Sequence, residues 1–201
     1  MVITEVEALS RLKTQVVIDD TIRLILPSSV VQTLHLCVGG SLSDAAFDSL
    51  YDEYVRRPAK LKALALLERR DYTRRELKEA LSRRGFPEKA VAEALDYVDS
   101  YHYIDDTHYT ESYLSYKAQG KSRRMIYQTL LSKGVDSETI RSCMEACPVD
   151  DVENIRQICR RKFGDIHETS PEKKQKIFNY FLRKGYKYGD IASVIKEFDS
   201  I

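Results

Sequence analysis

The stretch Thr73-Arg74-Arg75-Glu76-Leu77-Lys78-Glu79-Ala80-Leu81-Ser82-Arg83-Arg84-Gly85-Phe86 returns twice further along the chain. Its second copy is Ser122-Arg123-Arg124-Met125-Ile126 through Gly134-Val135, and its third is Lys173-Lys174-Gln175-Lys176-Ile177 through Gly185-Tyr186. The three glycines stand 49 and 51 residues apart, and apolar residues follow the same offsets. Leu77 falls on Ile126 and Ile177, and Leu81 on Leu130 and Phe181. Phe86 falls on Val135 and Tyr186, and Val91 on Ile140 and Ile191. Ala94 matches Cys143 and Val194, while Leu95 matches Met144 and Ile195. A fixed period of this length marks a chain built of stacked supersecondary units.

Each copy carries its own punctuation. Before the glycine the apolar residues recur four apart, the spacing of one helix face. Thr73 and Glu76 form a capping box, Ser122 holds the same place in the second copy, and Ser170 precedes Pro171 in the third. Gly85, Gly134 and Gly185 suit the left-handed position that ends a helix. A second helical pattern follows each glycine, and a further helix precedes each pair at roughly 59–70, 106–119 and 150–163. The expected fold is therefore mainly α: three tandem three-helix, helix-turn-helix-like repeats over 58–104, 105–149 and 150–201. Units of about 50 residues bury too little surface alone, so a curved, elongated array is expected. Residues 1–57 differ. Ile22, Leu24 and Leu26 alternate as in a half-buried strand. Val16 to Ile18 is the expected partner, with Asp19-Asp20 at the turn, and a helix from about Ser43 to Arg57 capped by Ser41 or Asp44 leads into the first repeat.

The chain has 201 residues and a net charge of only +1, with 31% of residues charged. That neutrality hides segregation. Residues 56–84, 117–134 and 156–187 carry net charges of +7, +5 and +7, while the intervening stretches are acidic. The cations cluster on the middle helices. Arg74, Arg123 and Lys174 align, as do Arg84, Lys133 and Lys184, and Arg83 aligns with Arg183. With Arg69, Arg70, Arg75, Lys121, Arg124 and Lys173 they make one candidate binding face. A solvated helix surface would also look like this. The alternative is a row of cations fitted to an extended polyanion or a repetitive acidic surface. The third helices argue against reading of duplex sequence: Glu88, Glu93, Asp96 and Asp99 in the first repeat, and Asp136, Glu138 and Glu145 against Arg141 in the second, would be repelled by phosphate. A helix-turn-helix reader sends its last helix into the major groove.

No catalytic motif is present, and no cofactor or metal is expected. His102, Asp105, Asp106 and His108 lie close together, but Asp at a helix start is a cap. Cys37, Cys143, Cys147 and Cys159 include no CxxC pair and read as reduced thiols. The tyrosines Tyr101, Tyr103, Tyr109, Tyr113 and Tyr116 read as packing between the first two repeats, with stacking on single-strand bases as the other use of such rings. Apolar runs are short of a membrane span, and the N-terminus lacks a signal-peptide pattern. A cytoplasmic, monomeric protein is expected.

Together these runs resemble the RecX family. Ala63-Leu64-Ala65-Leu66-Leu67-Glu68-Arg69-Arg70, then Thr73 to Leu77 and Leu81 to Phe86, are similar to that family's first repeat. Tyr103-Ile104-Asp105-Asp106 with Tyr109 is similar to its junction motif. Gly120-Lys121-Ser122-Arg123-Arg124 with Leu130, Gly134 and Val135 resembles its second repeat. The likeness spans roughly 58–198 and is weakest in the third repeat, where Gly164–Ser170 lengthens the link between helices. It implies binding along the groove of the RecA–DNA filament, with inhibition of filament growth, strand exchange, ATP hydrolysis and co-protease activity. DNA binding without sequence preference would be secondary, and no catalytic residue is implied. Two other readings remain: a helix-turn-helix transcriptional regulator, and a scaffold for an acidic protein.

Overall fold

The computed structural model describes residues 1–164 and 170–199, which fall into two compact units, Met1–Ile104 and Asp105–Ile201. The first unit opens with strands β1 (Ile3–Ser10), β2 (Lys13–Ile18) and β3 (Ile22–Pro27), an antiparallel sheet in the order β1-β2-β3. The β2–β3 pair is the expected hairpin, with Val16 opposite Leu24 and Ile18 opposite Ile22. Its turn residues Asp19 and Asp20 both have positive φ, 47° and 58°, the geometry of the tight hairpin turn whose twist matches the strands. The first strand lies outside the expected hairpin. Val6 and Ala8 alternate with Glu5 and Glu7, but only Ile3 is buried, so the strand lies at an edge and its apolar signal is thin.

The short helix α1 (Ser28–Thr33) follows, and then α2 (Asp44–Tyr51). The α2 cap is Ser43, whose hydroxyl accepts the Ala46 N–H at 3.2 Å, rather than Ser41 or Asp44. From α2 the chain passes through a π-helical turn, Asp52–Arg56, directly into α3 (Arg57–Leu67), without a break. Pro58 explains the turn: it has no N–H for the carbonyl one α-turn back, and a wider turn accommodates the loss. Helices α4 (Arg74–Ser82) and α5 (Glu88–Ser100) complete the first repeat. Sheet and repeat share one core, in which Val16, Ile18, Leu24 and Leu26 join Leu77, Leu81, Val91 and Val98.

The second unit holds α6 (Asp106–Lys117), α7 (Arg123–Ser132) and α8 (Ser137–Ala146) around Tyr109, Ile126, Leu130 and Ile140. It continues with α9 (Asp151–Ile158), a π-helical turn at Cys159–Phe163, α10 (Pro171–Arg183) and α11 (Tyr188–Asp199) around Ile155, Ile177, Phe181 and Ile191. The three-helix reading of each repeat holds. Of the six aligned apolar positions, all are buried in every copy except Phe86 and Ile195, which are half-buried. Gly85, Gly134 and Gly185 have φ of 84°, 93° and 80°, the left-handed region that glycine enters without steric cost.

The remaining expectations sort by burial. Asp105 caps α6, accepting the His108 N–H at 2.9 Å. Tyr109 and Tyr113 are core residues of the second repeat, whereas Tyr101, Tyr103 and Tyr116 are exposed. All four cysteines are free thiols, with Cys143 and Cys159 buried. Among the described residues no helix is long and apolar enough to cross a membrane.

Candidate functional site

The middle helices α4, α7 and α10 begin alike. Thr73 accepts the Glu76 N–H at 3.1 Å, Ser122 accepts that of Met125 at 3.2 Å, and Ser170 that of Lys173 at 3.4 Å. A capped start pins the first turn, so the cations that follow leave the helix from a defined place. What differs among the copies is the company those cations keep.

In the first repeat most are engaged within the unit. Arg74 bridges Asp96, at 2.9 Å, and Asp99, both on α5. Arg75 pairs with Glu79 at 3.2 Å along α4. The Arg70 guanidinium lies 3.7 Å from the centre of the Tyr72 ring and 3.4 Å from Glu76. Arg84 turns back and donates to the Ala80 carbonyl at 2.5 Å, answering one of the open acceptors at the end of α4. Arg69 and Arg83 are exposed and form no ion pair among the described residues.

The second unit brings residues of two repeats together. Ser122 Oγ, besides capping α7, donates to the Lys184 carbonyl at 2.7 Å, at the end of α10. The Arg123 N–H donates to Asp151 Oδ1 at 2.9 Å, at the start of α9. Asn154 donates to the Lys121 carbonyl at 3.4 Å. Asp151 is buried, and burial pushes its carboxyl above the usual range even though the Arg123 amide favours the carboxylate. A Cβ at Gly185 would stand 3.1 Å from Ser122 Oγ and 3.7 Å from the Arg124 stem. The close seat of α7 on the third repeat therefore requires glycine there. Arg123 and Arg124 project from this seat, exposed and without an ion pair among the described residues. Lys121 is held differently: its ammonium donates to the Tyr113 hydroxyl at 2.7 Å and lies 4.7 Å from that ring's centre.

The other predicted residues are placed as follows. Lys133 lies 5.6 Å from the Tyr109 ring centre, and Lys184 lies 6.0 Å from that of Tyr180. Arg183 donates to the Asn179 carbonyl at 3.4 Å along its own helix. Lys173 is exposed and Lys174 half-buried near the start of α10. Three neighbouring cations outside the predicted set, Arg160, Arg161 and Lys162, belong to the same region. The Arg161 guanidinium would lie 4.0 Å from a Cβ on Gly120, and Lys162 sits 4.1 Å from the Tyr180 ring centre. Their signal was present as a run of three cations inside a basic block. The run lies outside the middle helices, in the turn that follows α9.

Three family models match the chain, described as the first, second and third three-helix domains of RecX, over residues 59–97, 105–144 and 149–195 respectively. A regulatory protein RecX from Caldanaerobacter subterraneus subsp. tengcongensis is 33% identical over 149 residues, covering 72% of this chain and 73% of its own length. A crystal structure of RecX from Lactobacillus salivarius superposes with a TM-score of 0.58 at 25% identity, over 72% of this chain and 97% of that one. Another regulatory protein RecX superposes over 98% of both chains, with a TM-score of 0.64 at 20% identity, a likeness of fold. With its three repeats matched in order, the chain belongs to the RecX family of regulatory proteins.

Proposed function

We propose that this protein binds the RecA–DNA filament along its groove and inhibits RecA recombinase, ATPase and co-protease activity, acting as a cytoplasmic monomer with no catalytic residue of its own. One observation carries the reading furthest: Arg123 and Arg124 stand exposed, with no ion pair among the described residues, at a helix start that two repeats hold in place. Cations positioned in advance lose little freedom on meeting a polyanion or an acidic protein surface. Arg69, Arg83 and Lys173 extend the same exposed set into the other repeats. Each contact is weak alone, but contacts linked on one chain reinforce one another through effective concentration. Binding to free single- or double-stranded DNA follows from the same cations and has no sequence preference.

The acidic helix α5 supports this reading over that of a duplex-sequence reader. Asp96 is exposed on it, and its partner Arg74 is already drawn into ion pairs. The test is RecA's DNA-dependent ATP hydrolysis with this protein titrated in well below one copy per RecA. Inhibition is expected for the native chain and is expected to be lost in an Arg123→Glu/Arg124→Glu variant of unchanged helix content. Full inhibition by that variant would remove Arg123 and Arg124 from the contact. No inhibition by the native chain at equimolar protein would remove the proposal.

A further inference from the structure

The open end of the N-terminal sheet carries a surface that the cationic helix starts do not explain. The β1–β2 turn is Arg11-Leu12, followed by Lys13 at the start of β2, and Leu12 at its tip is 76% exposed. Leucine at that exposure between two cations satisfies nothing within the unit. Beside it lies a groove of about 340 Å³, floored by Ile25, Pro27, Tyr54, Pro58, Phe86 and Pro87. Its only charged lining groups are Lys13 and Arg84. Ile25 is 37% exposed there, and Gly85 faces its methyl group at 3.7 Å from the Cβ position, so the glycine that ends α4 also forms part of the wall. The Arg84 guanidinium folds back to the Ala80 carbonyl at the rim.

The charge of this corner is opposite to its surroundings. Residues 1–55 are acidic on balance, yet Asp19 and Asp20 sit at the other end of the β2–β3 hairpin and no carboxylate lines the groove. An apolar trough with cations at its rim and no acid matches a chain that offers an apolar side chain flanked by carboxylates. Nucleic acid matches it poorly, because a sugar–phosphate backbone brings nothing to cover Leu12 and Ile25. We infer that this groove is a docking site for an acidic peptide segment of a partner protein, anchored by an apolar residue in the trough and by carboxylates on Arg11, Lys13 and Arg84. It belongs to the first unit, whereas α7 belongs to the second, and it stands whether or not the filament reading does.

The test is fluorescence anisotropy of a fluorescein-labelled peptide of alternating aspartate and leucine, titrated with the full chain. Saturable binding is expected, weakened roughly tenfold or more by Lys13→Glu/Arg84→Glu, as for charges at the rim of an interface. A comparable loss is expected from Leu12→Ser, a change at an exposed tip that leaves the core untouched. Control peptides with asparagine for aspartate, or serine for leucine, are expected not to bind. The inference is overturned if the peptide fails to bind, if the serine peptide binds as well as the leucine one, or if Leu12→Ser changes nothing. Binding of a single-stranded oligonucleotide that depends on Leu12, with none of the peptide, would assign the groove to nucleic acid instead and equally overturn it.

Discussion

At the scale of single residues, the chain uses one side chain for two purposes where repeats meet. Ser122 caps its own helix and reaches a carbonyl of the next repeat, and Gly185 leaves the room for it to do so. Gly185→Ala should therefore cost more than the strain of a left-handed alanine, about 1–2 kcal/mol, because the new methyl also meets Ser122 Oγ at 3.1 Å. Gly39→Ala, with φ of 83° and nothing within 4 Å, should show the strain alone. Urea denaturation of the two variants measures the difference, and equal losses would mean that the close approach has no energetic weight. Asp136 makes a second case. It caps α8, and hydrogen bonds from the Thr139 side chain and from the Thr139 and Glu138 amides hold its carboxyl below the usual range. A depressed folded-state value stabilises the fold at pH above the ordinary aspartate value, and that contribution is lost as pH falls through the folded one. Asp136→Ala should lower stability at neutral pH and flatten the acid limb of the stability curve. Parallel limbs for the two proteins would exclude the cap as a source of the acid sensitivity.

At the scale of elements, identical sequence signals end in different electrostatic states. Arg74 and Arg123 align in the repeat, yet Arg74 faces Asp96 and Asp99 while Arg123 forms no ion pair among the described residues. Arg74→Gln should destabilise the fold, by at most about 1 kcal/mol for an exposed pair, whereas Arg123→Gln, which breaks no ion pair among the described residues, should have a smaller effect on thermal stability. Differential scanning calorimetry of the two variants compares them directly, and equal shifts would contradict the assignment. This contrast also marks how far the sequence could be read. Helix periodicity, caps and glycines are local signals, so the repeat was legible to the residue: Leu81, Leu130 and Phe181 are all fully buried. The β1 strand was not, because an edge strand with a single buried residue shows little alternation. The pairing of cations was not either. It depends on which acidic helix lies beside each one, and tertiary packing decides that. Arg161 stands in a plain run of cations, but its nearness to Gly120 depends on packing in the same way, since it crosses from one repeat to the next.

At the scale of the molecule, Met1–Ile104 is compact in its own right, and the sheet belongs to the same core as the first repeat. A fragment of residues 1–104 should therefore fold alone and unfold in one cooperative transition, followed by circular dichroism. Removing residues 1–42 from that fragment should abolish the transition, because Val16, Leu24 and Leu26 would no longer cover the repeat. A cooperative transition in the shortened fragment would show that the repeat needs no sheet. The unbroken path from Asp44 to Leu67 adds a constraint of another kind. A helix turns about 100° for each residue it gains or loses, so α2 and α3 behave as a geared shaft between the leader and the repeat. The π turn sets the phase of that shaft. Any change of length between Tyr51 and Arg57 would swing the sheet, its cationic turn and the groove beside it to a new bearing around the first repeat, with every residue of both left in place.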